Sequence, residues 1–283
     1  MGNLFIVATP IGNKDDITKR AVDILEKSDL ILCEDTRNSS NLLNLLNIKN
    51  KLVSYHKFNE LERSDEVINI LKSGKNIALI TDAGTPCISD PGSILVSECI
   101  KNNINIFSIP GASAVITALT LSGLTISNFA FYGFLERKSS NQKEHLKEIN
   151  ENDIEICIFY ESPKRILDTL ENISIVMNNP YIIVLNDLTK KFERKYYGKT
   201  TDVVKELKDN NNHELGEYVI IVSKNKKEIS IDKDILSPES ILIDIVVKNK
   251  CTLKDAIKIA SESNKLYSKN EYYNASLNLK RIL

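Results

Sequence analysis

The chain has 283 residues, 37 Lys and Arg against 38 Asp and Glu, 42% hydrophobic residues and five cysteines. That length allows two domains with ample core, and a net charge of -1 excludes a uniformly basic binder of polyanions. Cys33, Cys87, Cys99, Cys157 and Cys251 are scattered without CxxC spacing, and His56, His145 and His213 lie far apart, so neither a disulfide framework nor a metal cofactor is expected. No run approaches the roughly 20 apolar residues of a membrane span. The start Met1-Gly-Asn-Leu-Phe-Ile-Val enters a strand pattern without a basic leader, which predicts a cytoplasmic protein.

In chain order, residues 4–8 form a short apolar run of the kind found in buried parallel strands, broken by Thr9-Pro-Ile-Gly-Asn13. Ile17, Ala21, Ile24 and Leu25 fall at helical spacing. A strand at 30–33 ends in Glu34-Asp-Thr-Arg37, and a helix near 39–46 leads to a strand at 52–55. An amphipathic helix over 66–71 precedes the apolar strand 77–80, which runs into Thr81-Asp-Ala-Gly-Thr-Pro-Cys-Ile-Ser-Asp-Pro-Gly92. A strand that delivers an acid, two glycines and two prolines at its carboxyl end predicts a preformed ligand wall there. The plainer reading is a rigid turn in which Ser89 or Asp90 caps the helix from Ser93. A strand at 104–109 follows, and Pro110-Gly-Ala-Ser-Ala114 opens an apolar helix whose N-terminal amides suit an anionic group. This alternation predicts a parallel sheet with helices on both faces.

A break at 122–128 marks a predicted domain boundary. Residues 129–134, 156–160, 181–185 and 218–222 read as strands, 164–176 and 201–208 as helices, and 192–197 has strand character, so the second sheet is expected to be mixed. The polar stretch 136–143 reads as a loop, able to meet RNA phosphates or simply to link elements. After a polar connector at 224–234, three helices are predicted at 238–248, 253–261 and 269–281, with a capping pattern at Thr252-Leu-Lys-Asp255. Tyr267, Tyr272 and Tyr273 either anchor that bundle or stack on bases. The expected division is 1–122, 123–224 and 235–283. The last segment holds eight Lys and Arg against five Asp and Glu, an excess of +3 in an otherwise acidic chain.

No GxGxxG, GxxxxGK[ST] or GxSxG motif is present, which removes dinucleotide, P-loop and serine-hydrolase readings. What remains is a set of strand ends: Val7-Ala-Thr-Pro-Ile-Gly-Asn13, Glu34-Asp-Thr-Arg37, Thr81-Asp-Ala-Gly-Thr-Pro86 with Ser89-Asp-Pro-Gly92, and Phe159-Tyr-Glu-Ser162. In these the sequence resembles the tetrapyrrole methylase superfamily, and within it the ribosomal RNA small-subunit methyltransferase I family. The resemblance covers roughly residues 4–222. It implies an α/β fold of two domains of the tetrapyrrole methylase type with S-adenosylmethionine in the cleft between them, joined here to a small C-terminal helical domain that is a candidate RNA contact. It also implies a homodimer and methyl transfer to a cytidine ribose 2′-hydroxyl in the decoding region of small-subunit ribosomal RNA. One departure is Asn186-Asp-Leu-Thr-Lys190, where the family usually carries Arg-Glu-Leu-Thr-Lys.

Carried over residue by residue, the resemblance implies cofactor contacts from Pro10, Gly12, Asp82, Ala83, Gly84, Thr85 and Ile88, from Ser113 and Ala114 on the next turn, and from Phe159 and Tyr160 in the second domain. Phe159 reads equally well as packing. Loss of the hydroxyl proton calls for a base near the methyl group, and the candidates at strand ends are Glu34, Asp35, Asp82, Glu161 and Lys190. Asp35 is favoured. Arg37 would hold a phosphate or pair with Glu34 or Asp35. Two other readings stay open: a small-molecule tetrapyrrole methyltransferase and a non-catalytic ribosome-binding protein.

Overall fold

Short runs that are mostly apolar give the first sheet, because a strand covered by helices on both faces has little solvent side. In the computed structural model, which describes residues 1–224, 237–263 and 267–282, these runs are β1 (Asn3–Val7), β2 (Leu30–Cys33), β3 (Leu52–Ser54), β4 (Ile77–Leu79) and β5 (Asn105–Ile109). They pair in the order β3-β2-β4-β1-β5, all parallel. Between them run α1 (Lys19–Lys27), α2 (Thr36–Leu45), α3 (Glu60–Lys72) and α4 (Ser93–Lys101). Leu4, Ile6, Leu32, Leu71, Leu79 and Leu95 fill one face. Val7, Leu25, Ile31 and Ile80 fill the other. The central neighbours β1 and β4 release their following loops side by side at the carboxyl edge.

Beyond α5 (Ala114–Leu121) the second sheet contains β6 (Ala130–Phe134), β7 (Ile156–Glu161), β8 (Tyr181–Asn186), β9 (Arg194–Lys199) and β10 (Tyr218–Ser223). Its order is β6-β7-β10-β8-β9; β6 and β7 are parallel and the remaining pairs antiparallel. The helices α6 (Ser139–Glu151), α7 (Ile166–Val176) and α8 (Thr200–Lys208) belong to this half, and Leu146, Ile166, Leu170, Val203 and Leu207 pack with Phe159, Val184 and Ile220 on one face of the sheet. On the other, Ile158, Ile183, Leu185 and Ile221 pack against Val115, Ala118 and Leu119 of α5 and against Ile11. That second face joins the two sheets.

The stretch 136–143 differs from its expected loop, since α6 begins at Ser139. Two of its polar residues bond to buried partners: Ser139 Oγ donates to Asn172 Oδ1 at 3.2 Å and Gln142 Nε2 to Thr169 Oγ1 at 3.1 Å. Polar residues with buried partners look like loop composition in sequence.

The chain divides into two compact units, Met1–Lys226 and Lys227–Leu283. The second contains α9 (Pro238–Asn249), α10 (Leu253–Ser263) and α11 (Lys269–Ile282). Ser237 caps α9, and at α10 the Asp255 N–H donates to Thr252 Oγ1 while the Thr252 hydroxyl donates to Asp255 Oδ2. Leu242, Ala256, Ala260, Tyr272 and Ala275 form its core. Tyr272 is fully buried with Tyr267 edge-on at 5.8 Å, so both anchor the bundle, whereas Tyr273 is exposed. From residue 225 onward the predicted connector lies outside the described residues. No described helix is long and apolar enough to cross a membrane.

Candidate functional site

At the carboxyl edge of the first sheet lies a cavity of about 390 Å³, bordered on its far side by the second sheet. The loop after β4 forms one wall. Its position is set by a two-way backbone bridge, Thr9 N–H to Gly84 O at 2.8 Å and Gly84 N–H to Thr9 O at 3.1 Å, and by the Thr9 hydroxyl on Thr81 O at 3.1 Å. Gly84 has φ of +81°, a conformation that disfavours a side chain. A Cβ built there would stand 3.5 Å from Ile11, itself a lining residue. Further along, the Thr85 hydroxyl donates to Ala112 O at 3.1 Å and the Gly92 N–H to Glu60 Oε2 at 3.2 Å.

Of the residues singled out in sequence, Asp82, Ala83, Gly84, Thr85, Ile88, Ser113, Ala114, Tyr160 and Glu161 border this cavity. Asp82 accepts from the Asp35 N–H at 3.3 Å and from Asn38 Nδ2 at 2.9 Å. Ser113 caps α5. Strand alternation in β7 sends Phe159 and Tyr160 to opposite faces. Phe159 is fully buried and stacks on Tyr132 at 5.5 Å in the core, whereas Tyr160 borders the cavity against Phe131 and Phe134. Burial, then the neighbouring Asp90 carboxylate, push the Tyr160 phenol up to about 12.

Pro10 and Gly12 do not border the cavity; Ile11 between them does. Gly12 serves close approach instead, since a Cβ there would meet Lys190 Cγ at 2.6 Å and Leu188 O at 2.7 Å. Beside it the Asn13 N–H donates to Thr189 Oγ1 at 3.0 Å, so the first motif is clamped to the segment after β8. There Asn186 is buried and donates to Leu215 O and Glu217 O at 3.2 and 3.3 Å, joining β8 to the start of β10.

The proposed acids and bases are in contrasting states. Asp35 caps α2, accepting from the Arg37 N–H at 2.8 Å, and pairs with the Arg37 guanidinium at 2.7 Å, which holds its carboxyl down to about 2. Arg37 is thereby engaged. Glu34 is raised by burial and then by Asp82. The Glu161 carboxylate is wholly buried and accepts from the Ser162 N–H at 2.7 Å and the Thr169 hydroxyl at 2.6 Å, with Arg165 at 3.3 Å. Lys190 is shared between Asp187 at 2.7 Å and Glu217 at 2.9 Å, and through Glu217 it reaches the cavity rim.

Sequence reasoning passed over Phe134, Glu217 and above all Asp90, all of which border the cavity. Asp90 stands in the expectation as a helix cap; in the structure Gly92 is the N-cap of α4, at φ of +128°, with no side-chain cap. Asp90 makes no hydrogen bond to another described residue, and burial, with Glu34 and Asp82 adding, pushes its carboxyl up to about 7. The signal was the second acid of Ser89-Asp-Pro-Gly92, whose turn chemistry also explains an aspartate.

Residues 3–204 match the family model of tetrapyrrole (corrin/porphyrin) methylases. The chain is similar to ribosomal RNA small subunit methyltransferase I of Buchnera aphidicola subsp. Schizaphis graminum, at 42% identity over 96% of this chain and 94% of that protein. It is likewise 42% identical to the protein of that name from Haemophilus influenzae, over 98% and 96% of the two chains. Among solved structures, a uroporphyrin-III C-methyltransferase from Thermus thermophilus complexed with S-adenyl homocysteine has the same fold, with a TM-score of 0.55 at 13% identity over 78% of this chain and 97% of that one. The chain belongs to the tetrapyrrole methylase family and, within it, to the ribosomal RNA small subunit methyltransferase I family.

Proposed function

We propose that this protein transfers the methyl group of S-adenosylmethionine to a cytidine ribose 2′-hydroxyl in the decoding region of small-subunit ribosomal RNA, in the cytoplasm and as a homodimer. The observation that carries the reading is the cavity at the strand ends. About 390 Å³ suits a ligand of that size, its walls are mainly apolar, and the carboxylate of Asp82 borders it, which favours a cationic sulfonium. Gly84 supports the fit, because its bare backbone faces the lining where a side chain would intrude. Asp82, Ala83, Gly84, Thr85, Ile88, Ser113, Ala114 and Tyr160 are the residues assigned to hold the cofactor, which when bound supplies an electrophilic methyl group. Positioning of the ribose against it accounts for much of the expected rate.

Two further parts of the reading have their own support. On the edge strand β5, Asn105, Phe107 and Ser108 are exposed, and Phe107 stacks on Phe5 at 5.6 Å; a parallel edge strand so open is suited to cover by a second copy. In the helical unit, Lys248, Lys250, Lys254, Lys258, Lys269 and Lys280 are exposed, which favours phosphate contacts on structured RNA.

The test is incubation with labelled S-adenosylmethionine and, in parallel, a porphyrinogen or small subunits from a strain lacking the gene, the latter followed by nucleoside mapping. Label in a 2′-O-methylcytidine is the expected result. Label only in a porphyrinogen, or none in either, overturns the proposal.

A further inference from the structure

We propose that Asp90 is the general base of the reaction, its carboxylate taking the proton of the ribose 2′-hydroxyl as the methyl group arrives; this rests on the methyl-transfer reading above. The case begins with what the other acids at the cavity are doing. Asp35 is committed to a helix cap and to Arg37. Glu161 is saturated by Ser162, Thr169 and Arg165. Glu217 pairs with Lys190, and Asp82 accepts from Asp35 and Asn38. Asp90 alone among the described carboxylates bordering the cavity is half-buried and without a hydrogen-bond partner.

A half-buried carboxylate left unpaired in a rigid loop is free to accept a ligand's hydrogen bond. The loop holds it there. Pro91 follows it directly, Cys87 N–H bonds to Pro91 O at 3.4 Å, and Gly92 is tied to Glu60. Across the cavity Tyr160 stands on β7, and the neighbouring charged and titratable groups are Glu34, Asp82, Cys87 and Tyr160. Burial, and then the like charges of Glu34 and Asp82, make the carboxylate a stronger base, matched to neutral pH, where proton transfer is most efficient. In the step itself the 2′-oxygen bonds to the methyl carbon while the carbon–sulfur bond breaks, its electron pair remaining on sulfur. The hydroxyl proton passes to Asp90 and then to water.

The experiment compares the full-length parent with Asp90→Asn and Asp90→Ala. Calorimetry reads affinity for S-adenosylmethionine and for S-adenosylhomocysteine, which lacks the sulfonium charge; single-turnover transfer to small subunits is followed against pH; carbon-13 NMR of labelled aspartates follows the carboxyl in the free protein. Expected are unchanged affinity for both compounds, a loss of about 10²–10⁴-fold in rate, partial rescue of Asp90→Ala by formate, and disappearance of a carboxyl signal titrating near 7. The parent rate should rise with pH and level off above that value, and Asp90→Asn should lack the rise. Transfer by Asp90→Asn at the parent rate overturns the inference. So does lost affinity for S-adenosylmethionine alone, which would make Asp90 the counter-charge of the sulfonium. A parent that transfers no methyl to small subunits overturns the methyl-transfer reading and takes this inference with it.

Discussion

In the all-parallel first sheet every strand finishes at the same edge, so the acids and glycines that follow β1, β2 and β4 are gathered at one place, whereas the mixed second sheet brings to the cavity the ends of β7 and β8 and the start of β10. The first sheet therefore delivers loops with free polar groups. The second delivers strand residues already fixed by a ladder, and its lining includes Tyr160, Tyr218 and Val219. Chemistry is concentrated where backbone groups are left unpaired, and enclosure comes from a surface whose backbone is paired.

The largest expected effect tests this on one strand. Phe159→Ala should cost about 3–5 kcal/mol in urea unfolding, because it empties a core position, while the folded fraction keeps its cofactor affinity. Tyr160→Ala should do the reverse, weakening S-adenosylmethionine in calorimetry with a smaller loss of stability. If Phe159→Ala weakens binding without loosening the fold, the assignment of the two faces is wrong. Next comes Glu161→Gln, expected to cost about 1–3 kcal/mol by weakening charge-assisted hydrogen bonds to Ser162, Thr169 and Arg165. Its transfer rate at saturating cofactor should match the parent's; a slowed rate with stability intact would return Glu161 to the chemistry.

Gly84→Val should lose about 1–2 kcal/mol from its positive φ, since no atom lies closer than 3.5 Å to its Cβ, and still bind cofactor poorly. Calorimetry on a verified folded sample decides this, and parental affinity there removes the loop from the cofactor wall. The smallest effect belongs to Asp35→Asn. Hydrogen bonding to Arg37 lowers this carboxyl to about 2, so its contribution is complete above the unfolded value of roughly 3.9 and vanishes as pH falls through about 2. The parent should therefore melt above the variant at pH 7, and that small difference should close as the parent loses stability between about pH 4 and 2. An unchanged single-turnover rate would separate Asp35 from proton transfer.

Much of this was legible in the residues. Mostly apolar runs marked the greater part of both sheets, and the density of Gly, Pro and acid after residue 80 marked the cavity wall. The faces of β7 were not legible, because Ile156 through Tyr160 are apolar or aromatic throughout and a strand buried on both sides carries no alternation. Gly12 read as a ligand contact, although its small size serves a junction with residues 188–190, a pairing across 176 positions that no local pattern encodes. Asp90 was hidden by its own plausibility as a cap.

The loop that begins at the Thr9–Gly84 bridge ends at the Gly92 amide on Glu60. Both ends are fastened to elements that hold their places in the first core, so the number of residues between them is itself a structural quantity. One residue more or fewer would have to release an anchor, and the amide protons of Thr9, Gly84 and Gly92 should exchange with solvent together or not at all. Among descendants of this sequence, substitutions within the loop are thus far easier to accommodate than changes in its length.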